Sequence, residues 1–227
     1  MAGMLEVIIG PMRSNKTAEL MRRVAMREEY ARQTVLLFKP NDDTKSGQGL
    51  VESRDPLGHR QMGALEFGSS NPWEILTYIS ERERIIGKPV NCVAIDEGQF
   101  VHELFEFARL LLERGYDLLI AGLDLNFRGH PFGDMLALAW LVNAYGGNIT
   151  WCIAYCECGQ RAFFSQRLID GQPAPYDSPT VIPGDSYGPR CSQHFVLPGR
   201  PKRDVGHGVR DSQETPSLYP EARIPER

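Results

Sequence analysis

The fold is decided by the apolar run Leu5-Glu6-Val7-Ile8-Ile9 and by the loop that follows it, Gly10-Pro11-Met12-Arg13-Ser14-Asn15-Lys16-Thr17. A phosphate-binding loop has a glycine, four residues, a second glycine, a lysine and then a serine or threonine. Its backbone N–H groups surround the phosphates, while the lysine and the hydroxyl reach phosphate and magnesium. The stretch matches this pattern at every position but one. We therefore predict that residues 10–17 bind the phosphates of a nucleotide.

The exception is Asn15, which stands where the pattern has its second glycine. That position often needs a positive φ, and asparagine adopts this conformation more readily than other non-glycine residues, although its side chain occupies space. Lys16 and Thr17 then begin a predicted helix, whose N-terminus favours anions. The alternative is an ordinary solvated helix start.

Short apolar runs alternate with amphipathic helical patterns in the first 150 residues. The predicted strands are residues 5–9, 34–38, 90–95 and 118–121, and the predicted helices are residues 16–32, 71–87, 102–114 and 133–145. The runs are rich in β-branched residues, which is typical of strands buried on both faces. The alternation predicts a doubly wound α/β layer, with a parallel sheet flanked by helices and ligand loops at the strand ends.

The charge and hydrophobicity of the chain indicate which classes of partner it can bind. The 227 residues carry a formal net charge of −4, so no global basic field favours nucleic acid, and we predict no direct nucleic-acid partner. The N-terminus lacks the features of a secretion signal, and no stretch approaches the ~20 apolar residues of a membrane span. We predict a cytoplasmic protein without a membrane partner.

The pattern changes at about Trp151, where helical periodicity stops and cysteines, glycines and prolines become frequent. Residues 198–227 contain five prolines, many charges and few apolar residues, a composition that does not favour a packed structure. We predict three parts: a nucleotide-binding α/β domain over residues 1–150, a zinc-binding subdomain over residues 151–197 and a disordered tail over residues 198–227.

A set of four residues suggests the metal. Cys156 and Cys158 form one close pair, Cys191 and His194 form another, and a long segment separates the two pairs. Two such pairs are typical of a closed tetrahedral zinc site, in which the ion stabilises the fold. The alternative is a group of reduced thiols without metal.

Further polar residues follow the predicted strands. Asp96 and Glu97 come directly after the third strand, where an acid can hold magnesium through water and its neighbour can accept a proton from an attacking hydroxyl. After the fourth strand, Phe127 and Arg128 lie in a loop that could stack a base and neutralise phosphate. Both observations have alternatives, since acids also end strands at surfaces and loop aromatics also pack internally. Residues 42–47 are either a plain turn or a flap.

Taken together, four motifs in this order resemble the zinc-containing thymidine kinases over about residues 4–195. They are Gly-Pro-Met-x-Ser-x-Lys-Thr, Asp-Glu-Gly-Gln-Phe, Gly-Leu-Asp-x-x-Phe-Arg-Gly-x-Pro-Phe-Gly and the Cys/Cys/Cys/His set. The resemblance implies transfer of the ATP γ-phosphate to the 5′-hydroxyl of thymidine or deoxyuridine. It also implies a homotetramer and feedback inhibition by dTTP.

The resemblance assigns roles by matching position. Lys16 and Thr17 would hold the phosphates and Mg²⁺, Asp96 would support the metal, and Glu97 would be the base. Phe127 would stack on the thymine, Arg128 would lie near phosphate, and a lasso over residues 168–189 would read the base. The other assigned positions are Gln99 at the ATP site and, at the substrate site, Asp43, Lys45, Ser165, Val181 and Tyr187.

Three residues depart from the family pattern, namely Asn15, Lys45 and Pro183. Lysine lacks the planar fork of the usual arginine in the flap, and proline lacks the N–H of the usual glycine in the lasso. These departures support an alternative, a kinase-derived nucleotide-binding protein with weak or no catalysis. A third hypothesis is a general ATPase that acts on a protein partner.

Overall fold

The computed structural model describes residues 1–41, 48–55, 58–180 and 186–201. Its helices are α1 (Lys16–Glu29), α2 (Glu74–Ile86), α3 (Leu104–Glu113) and α4 (Leu138–Tyr145), with a 3₁₀ turn at Gly98–Phe100. Its strands are β1 (Leu5–Ile9), β2 (Val35–Pro40), β3 (Leu50–Asp55), β4 (Gly58–Gly63), β5 (Leu65–Phe67), β6 (Cys92–Ile95), β7 (Asp117–Gly122), β8 (Gly147–Trp151), β9 (Ala154–Tyr155), β10 (Arg161–Ala162), β11 (Phe164–Ile169), β12 (Gln172–Pro173) and β13 (Ser186–Arg190).

Six strands form one parallel sheet in the order β5-β2-β6-β7-β1-β8. Helix α1 and the antiparallel hairpin β3–β4 cover one face, and helices α2, α3 and α4 cover the other. Along β1 the side chains alternate accordingly, since Val7 and Ile9 pack toward α3 and α4 while Ile8 packs toward α1. The predicted α/β layer with a parallel sheet is confirmed, and "the layer" below means residues 1–151.

Several predicted boundaries are wrong. Helix α1 ends at Glu29 because Arg32, with φ 56°, cannot continue a right-handed helix. Helix α4 begins at Leu138, five residues later than predicted, since Gly133 has φ 53°. The sequence analysis also missed the hairpin β3–β4 and the edge strands β5 and β8.

The carboxyl ends of the central strands meet at one edge of the sheet. Ile9, the last residue of β1, pairs with Gly122 of β7, and Ile95, the last residue of β6, pairs with Ile120 of β7. The segments that follow these strands, residues 10–17, 96–99 and 123–133, therefore lie side by side. Open parallel sheets bind their ligands at such an edge, where successive connections leave in opposite directions.

Beyond β8 the chain forms two small antiparallel sheets, β9–β10 and β12–β11–β13. We call residues 152–201 the C-terminal region. Its buried apolar cluster consists of Ala154, Cys156, Ala162 and Cys191. The predicted domain boundaries stay predictions, and the predicted tail lies outside the described residues from 202 onward.

Among the helices of the described ranges, none combines the length and the apolar character that crossing a membrane requires.

Candidate active site and metal centre

The loop between β1 and α1 is held in a tight conformation. Gly10 has φ 150°, and a Cβ there would lie 2.4 Å from the carbonyl oxygen of Cys152 and 2.9 Å from Oγ of Ser14. Arg13 and Asn15 both have φ 61°, in the left-handed region. Left-handed residues within such a turn direct neighbouring N–H groups into an anion-binding concavity. Asn15 therefore adopts the backbone conformation that the missing glycine would supply.

Lys16 bends back over this loop. Its Nζ donates a hydrogen bond to the carbonyl oxygen of Pro11 at 2.8 Å, and it lies 3.5 Å from Oγ of Ser14. Burial lowers the pKa of Lys16, while the charges of Glu97 and Asp96 oppose that shift. The ammonium group thus lies near acids at the sheet edge, and its hydrogen-bond acceptors among the described residues are neutral loop oxygens.

Thr17 and Asp96 are in direct contact. Oγ1 of Thr17 donates to Oδ2 of Asp96 at 3.0 Å, which joins the first turn of α1 to the end of β6. Asp96 is 6% exposed. Burial, followed by the charge of Glu97, raises the pKa of Asp96 to about 7, against the hydrogen bond from Thr17. A hydroxyl and a carboxylate side by side are hard oxygen ligands of the kind that magnesium prefers.

Glu97 has a strained backbone with φ 51°, and its side chain is half-buried. Such left-handed residues cost about 1–3 kcal/mol and cluster at functional sites. The amide of Gln99 donates to Oε2 of Glu97 through Nε2, and Oε1 of Gln99 accepts from the N–H of Leu123 at 2.8 Å. Gln99 was predicted as an ATP contact, but here its amide orients Glu97 and holds the loop after β7.

Asp124 lies in that loop and was not among the predicted site residues. Its side chain is 7% exposed, and its Oδ1 has no hydrogen-bond partner within the described residues. Burial raises its pKa, against hydrogen bonds from the N–H groups of Asp124 itself and Leu125 and against the charge of Lys16. The only sequence signal was one acid in a quoted motif, which did not reveal its burial.

Phe127 is packed rather than open in this structure. Its ring is 2% exposed, and the Cζ atoms of Arg128 and Arg167 lie over it at 4.6 and 5.3 Å from the centroid. Arg167 is fully buried on β11 and donates through Nη1 to the carbonyl oxygen of Pro179. Sequence reasoning missed Arg167, because an arginine in a short strand gives no sign of burial.

Arg128 holds the segment after β12. Its Nε donates to the carbonyl oxygen of Tyr176 at 2.6 Å, its Nη1 donates to Oγ1 of Thr180 at 2.9 Å, and its Nη2 donates to the carbonyl oxygen of Ser178. This segment contains no helix or strand, so the guanidinium supplies the donors that its backbone oxygens need. Arg128 was predicted to lie near phosphate, whereas the structure directs its donors into the C-terminal region.

Ser165 connects the two parts of the molecule. Its side chain is 3% exposed, and its Oγ accepts a hydrogen bond from the N–H of Met12 at 3.0 Å. Strand β11 therefore touches the loop between β1 and α1. Tyr187 lies on β13 opposite Arg167 and is half-buried.

Cys156, Cys158, Cys191 and His194 form a compact cluster, and their ligand atoms all lie within 4.8 Å of one another. The separation is 3.8 Å between the Sγ atoms of Cys158 and Cys191, and 3.7 and 3.3 Å from Nδ1 of His194 to the Sγ atoms of Cys156 and Cys191. Tetrahedral zinc with Zn–S bonds of about 2.3 Å needs ligand separations of about 3.8 Å. The four residues therefore fit zinc.

The backbone prepares these cysteines for metal. Gly159 donates its N–H to the carbonyl oxygen of Cys156 at 2.8 Å, and Phe195 donates its N–H to that of Cys191 at 3.0 Å, so each pair lies on a tight turn. Hydrogen bonds from the N–H groups of Cys158 and Cys191 lower the pKa of Cys156 to about 6. Four protein ligands leave no position for a reacting water, which is typical of a structural site.

A model of the family described as "Thymidine kinase" matches residues 3–195. The chain belongs to the thymidine kinase family. It is 38% identical over 206 residues to the thymidine kinase of Mycoplasmoides gallisepticum, covering 89% of this chain and 85% of that protein. It is 40% identical over 203 residues to the thymidine kinase of Ureaplasma urealyticum serovar 10, covering 88% and 85%.

Membership of the thymidine kinase family confirms the resemblance predicted from the motifs and the prediction of an enzyme that uses ATP. It gives no support to the two alternatives, a kinase-derived protein without catalysis and a general ATPase. The structure brings together residues 10–17, Asp96, Glu97 and Gln99 at one edge of the sheet. Three residues of the predicted site, Asp43, Lys45 and Val181, lie outside the described residues, as does Pro183, which departs from the family pattern.

Proposed function

We propose that this member of the thymidine kinase family transfers the γ-phosphate of ATP to the 5′-hydroxyl of thymidine. The observation that carries the proposal is the 3.0 Å contact between Thr17 and Asp96, beside Lys16 and Glu97. Phosphoryl transfer depends mainly on positioning and on stabilising charge. This edge of the sheet supplies what such a reaction needs: a loop of backbone donors, one ammonium group and two carboxylates.

In this proposal each residue has a separate task. The N–H groups of residues 13–17 and the ammonium of Lys16 bind the phosphates, which requires Lys16 to leave the carbonyl oxygen of Pro11. Thr17 and Asp96 would hold magnesium, which would neutralise part of the phosphate charge. Glu97 accepts the proton of the 5′-hydroxyl, and Gln99 keeps its carboxylate oriented.

The loop after β7 and the C-terminal region would together bind the base. Phe127 would stack on thymine, which requires one of the guanidinium groups over its ring to move aside. Ser165, Tyr187 and the backbone of the lasso would complete the pocket, while zinc at the cysteine and histidine cluster would hold that lasso. Buried Ser165 and half-buried Tyr187 on adjacent strands support this placement.

Three further properties belong to the same proposal. A homotetramer is supported by the open edge strand β8 and by Trp140 and Trp151, which are 73% and 59% exposed. Inhibition by dTTP is supported by the structure of that nucleotide. It carries both a thymidine, which fits the proposed base site, and a triphosphate, which fits the phosphate loop. A cytoplasmic location is supported by five cysteines that form no disulfide, since a reducing compartment keeps thiols reduced.

The test is a phosphorylation assay with thymidine, ATP and Mg²⁺ on the wild type and on Glu97→Gln. Loss of a general base lowers kcat by roughly 10²- to 10⁴-fold, while the melting temperature and ATP binding should not change. Glu103→Gln is the matched control, because Glu103 is also a left-handed glutamate at a helix start, with φ 52°, but is exposed. Full turnover by Glu97→Gln would remove Glu97 from the mechanism, and a wild type inactive on thymidine would overturn the proposed function.

A further inference from the structure

The position of Asp124 follows from the order of the strands. Strand β7 lies between β1, which leads into the loop of residues 10–17, and β6, which leads into Asp96 and Glu97. Asp124 comes two residues after the end of β7. It is therefore placed between the phosphate loop and the acid pair, at the point of the sheet edge where both segments converge.

The carboxylate of Asp124 is buried without full hydrogen bonding. It is 7% exposed, and Oδ1 has no partner within the residues that the structure describes. An unsatisfied buried polar atom is destabilising and calls for an explanation, which at a functional site is often a missing ligand, ion or water. The backbone around it is fixed, because the carbonyl oxygen of Asp124 accepts from the N–H of Phe132 at 3.0 Å.

An ionised carboxylate only accepts hydrogen bonds, so the partner that fits ionised Asp124 is a hydrogen-bond donor. The oxygens of the ATP triphosphate are negatively charged acceptors and cannot be that donor. Strand β7, which leads to Asp124, lies directly beside β1, which leads to the phosphate loop, and the charge of Lys16 favours an ionised Asp124. Magnesium keeps several of its water molecules when it binds beside phosphates, and those waters are donors that need acceptors.

We propose that Asp124 is a positioning residue of this site, whose Oδ1 accepts a hydrogen bond from a water molecule of the magnesium ion that accompanies ATP. This inference rests on the proposed function only in placing ATP and magnesium at residues 10–17. Asp96 already uses Oδ2 for the hydroxyl of Thr17. Asp124 adds a second acceptor. Because it follows β7 whereas Asp96 follows β6, the two acceptors reach the ion's waters from different loops.

The test measures metal affinity directly. Mn²⁺, which replaces magnesium and has an electron paramagnetic resonance signal, is titrated into the complex of the enzyme with a non-hydrolysable ATP analogue. Removing a group that orients a metal ligand typically costs 10- to 100-fold in affinity. We expect Asp124→Asn and Asp124→Ala to weaken Mn²⁺ binding at least tenfold, while the affinity for the analogue measured in EDTA stays the same.

The control is Asp134→Asn, because Oδ2 of Asp134 already accepts a hydrogen bond from the N–H of Phe105 at the start of α3. A second readout is the Mg²⁺ concentration needed for half-maximal turnover, which should rise in Asp124→Asn and be rescued by excess Mg²⁺. Melting temperatures show whether each variant folds, and the asparagine variant preserves shape if the alanine variant does not.

Two outcomes would overturn the inference. If the analogue binds more weakly in EDTA while Mn²⁺ affinity is unchanged, Asp124 acts on Lys16 and not on the hydrated ion. If neither affinity changes, the buried oxygen has no role in ligand binding. These results do not depend on the proposed function, because the Mn²⁺ titration contains no thymidine. If the enzyme were inactive on thymidine but still bound Mn²⁺ through Asp124, the proposed function would be wrong and this inference would still hold.

Discussion

The layer and the C-terminal region are stabilised by different interactions. Among the described residues, the layer buries 22 in one apolar cluster and 11 in the other, whereas the corresponding cluster of the C-terminal region has four, two of them metal-site cysteines. Fully burying a large aliphatic or aromatic side chain contributes about 1.5–3 kcal/mol, so the layer has ample apolar stabilisation and the C-terminal region has little. The region instead depends on the cysteine and histidine cluster, on buried Arg167 and on half-buried Arg128.

This difference separates the groups proposed to bind phosphate from those proposed to bind the base. The groups proposed to act on phosphate, residues 10–17 with Asp96 and Glu97, are carried by the layer. The groups proposed to surround the base come largely from a region whose order depends on a metal and on Arg128 and Arg167. A region held by few interactions can open for a nucleoside while the phosphate-binding part stays rigid.

Removal of zinc should have the largest effect. Structural zinc contributes an apparent 10–16 kcal/mol in small zinc domains, so a chelator or Cys191→Ser should abolish amide protection over residues 152–195. The layer should keep its protection, as measured by hydrogen exchange and mass spectrometry. The control is Cys92→Ser, which changes a buried thiol of the layer and should leave the region intact. Equal loss of protection in both parts would refute the division.

The converse prediction concerns Leu111, which is fully buried in the larger cluster. Leu111→Ala should lower the free energy of unfolding by about 2–5 kcal/mol, because it removes apolar contacts and leaves a cavity. Urea denaturation measures this change. Zinc content should stay the same, and a variant that loses zinc together with stability would show that the two parts do not unfold independently.

The layer was also the more predictable part. Strands β1, β2, β6 and β7 were predicted because they are short apolar runs buried on both faces. The hairpin β3–β4 was missed because its β4 side chains, Gly58–Gly63, are polar and mostly exposed, and β8 was missed because Gly147–Trp151 is a half-exposed edge strand without an apolar run. Sequence periodicity detects burial, and these strands have little of it.

In the site, the sequence predicts residues whose chemistry is tied to a motif and misses those whose role comes from tertiary contacts. Lys16, Thr17, Asp96 and Glu97 were predicted to act together and lie together. The burial of Arg167, the orphaned oxygen of Asp124 and the hydrogen bond from Met12 to Ser165, which joins positions 153 residues apart, exist only after folding.

A substitution of Arg128 should have a smaller and more local effect on the C-terminal region than the loss of zinc. Arg128→Met should release residues 176–180, because hydrogen bonds from a charged group contribute about 1.5–3 kcal/mol. Hydrogen exchange should rise in that segment alone, with zinc content and layer stability unchanged. Arg128→Lys should rescue only part of the protection, since lysine keeps the charge but cannot form three bonds in the same planar arrangement. Unchanged exchange with weaker ATP binding would instead support the phosphate role predicted from the resemblance.

Asn15→Gly should have the smallest effect, although Asn15 is the most visible departure from the phosphate-loop pattern. Asn15 already has φ 61° and ψ 27°, its side chain is exposed, and it makes no capping hydrogen bond. Glycine would remove the mild strain of a left-handed asparagine, but it would also increase the entropy of the unfolded chain, and the two changes oppose each other. We expect the free energy of unfolding to change by less than about 1 kcal/mol and the ATP affinity to stay nearly constant.

Asn15→Ala is the matched variant, because alanine tolerates the left-handed conformation less well than asparagine and should cost about 1 kcal/mol more. Isothermal titration with the non-hydrolysable ATP analogue and thermal unfolding measure both effects. A large gain in affinity for Asn15→Gly would show that the asparagine side chain obstructs the phosphates. Near-equality would show that the backbone conformation at this position, and not the absence of a side chain, is what the loop requires.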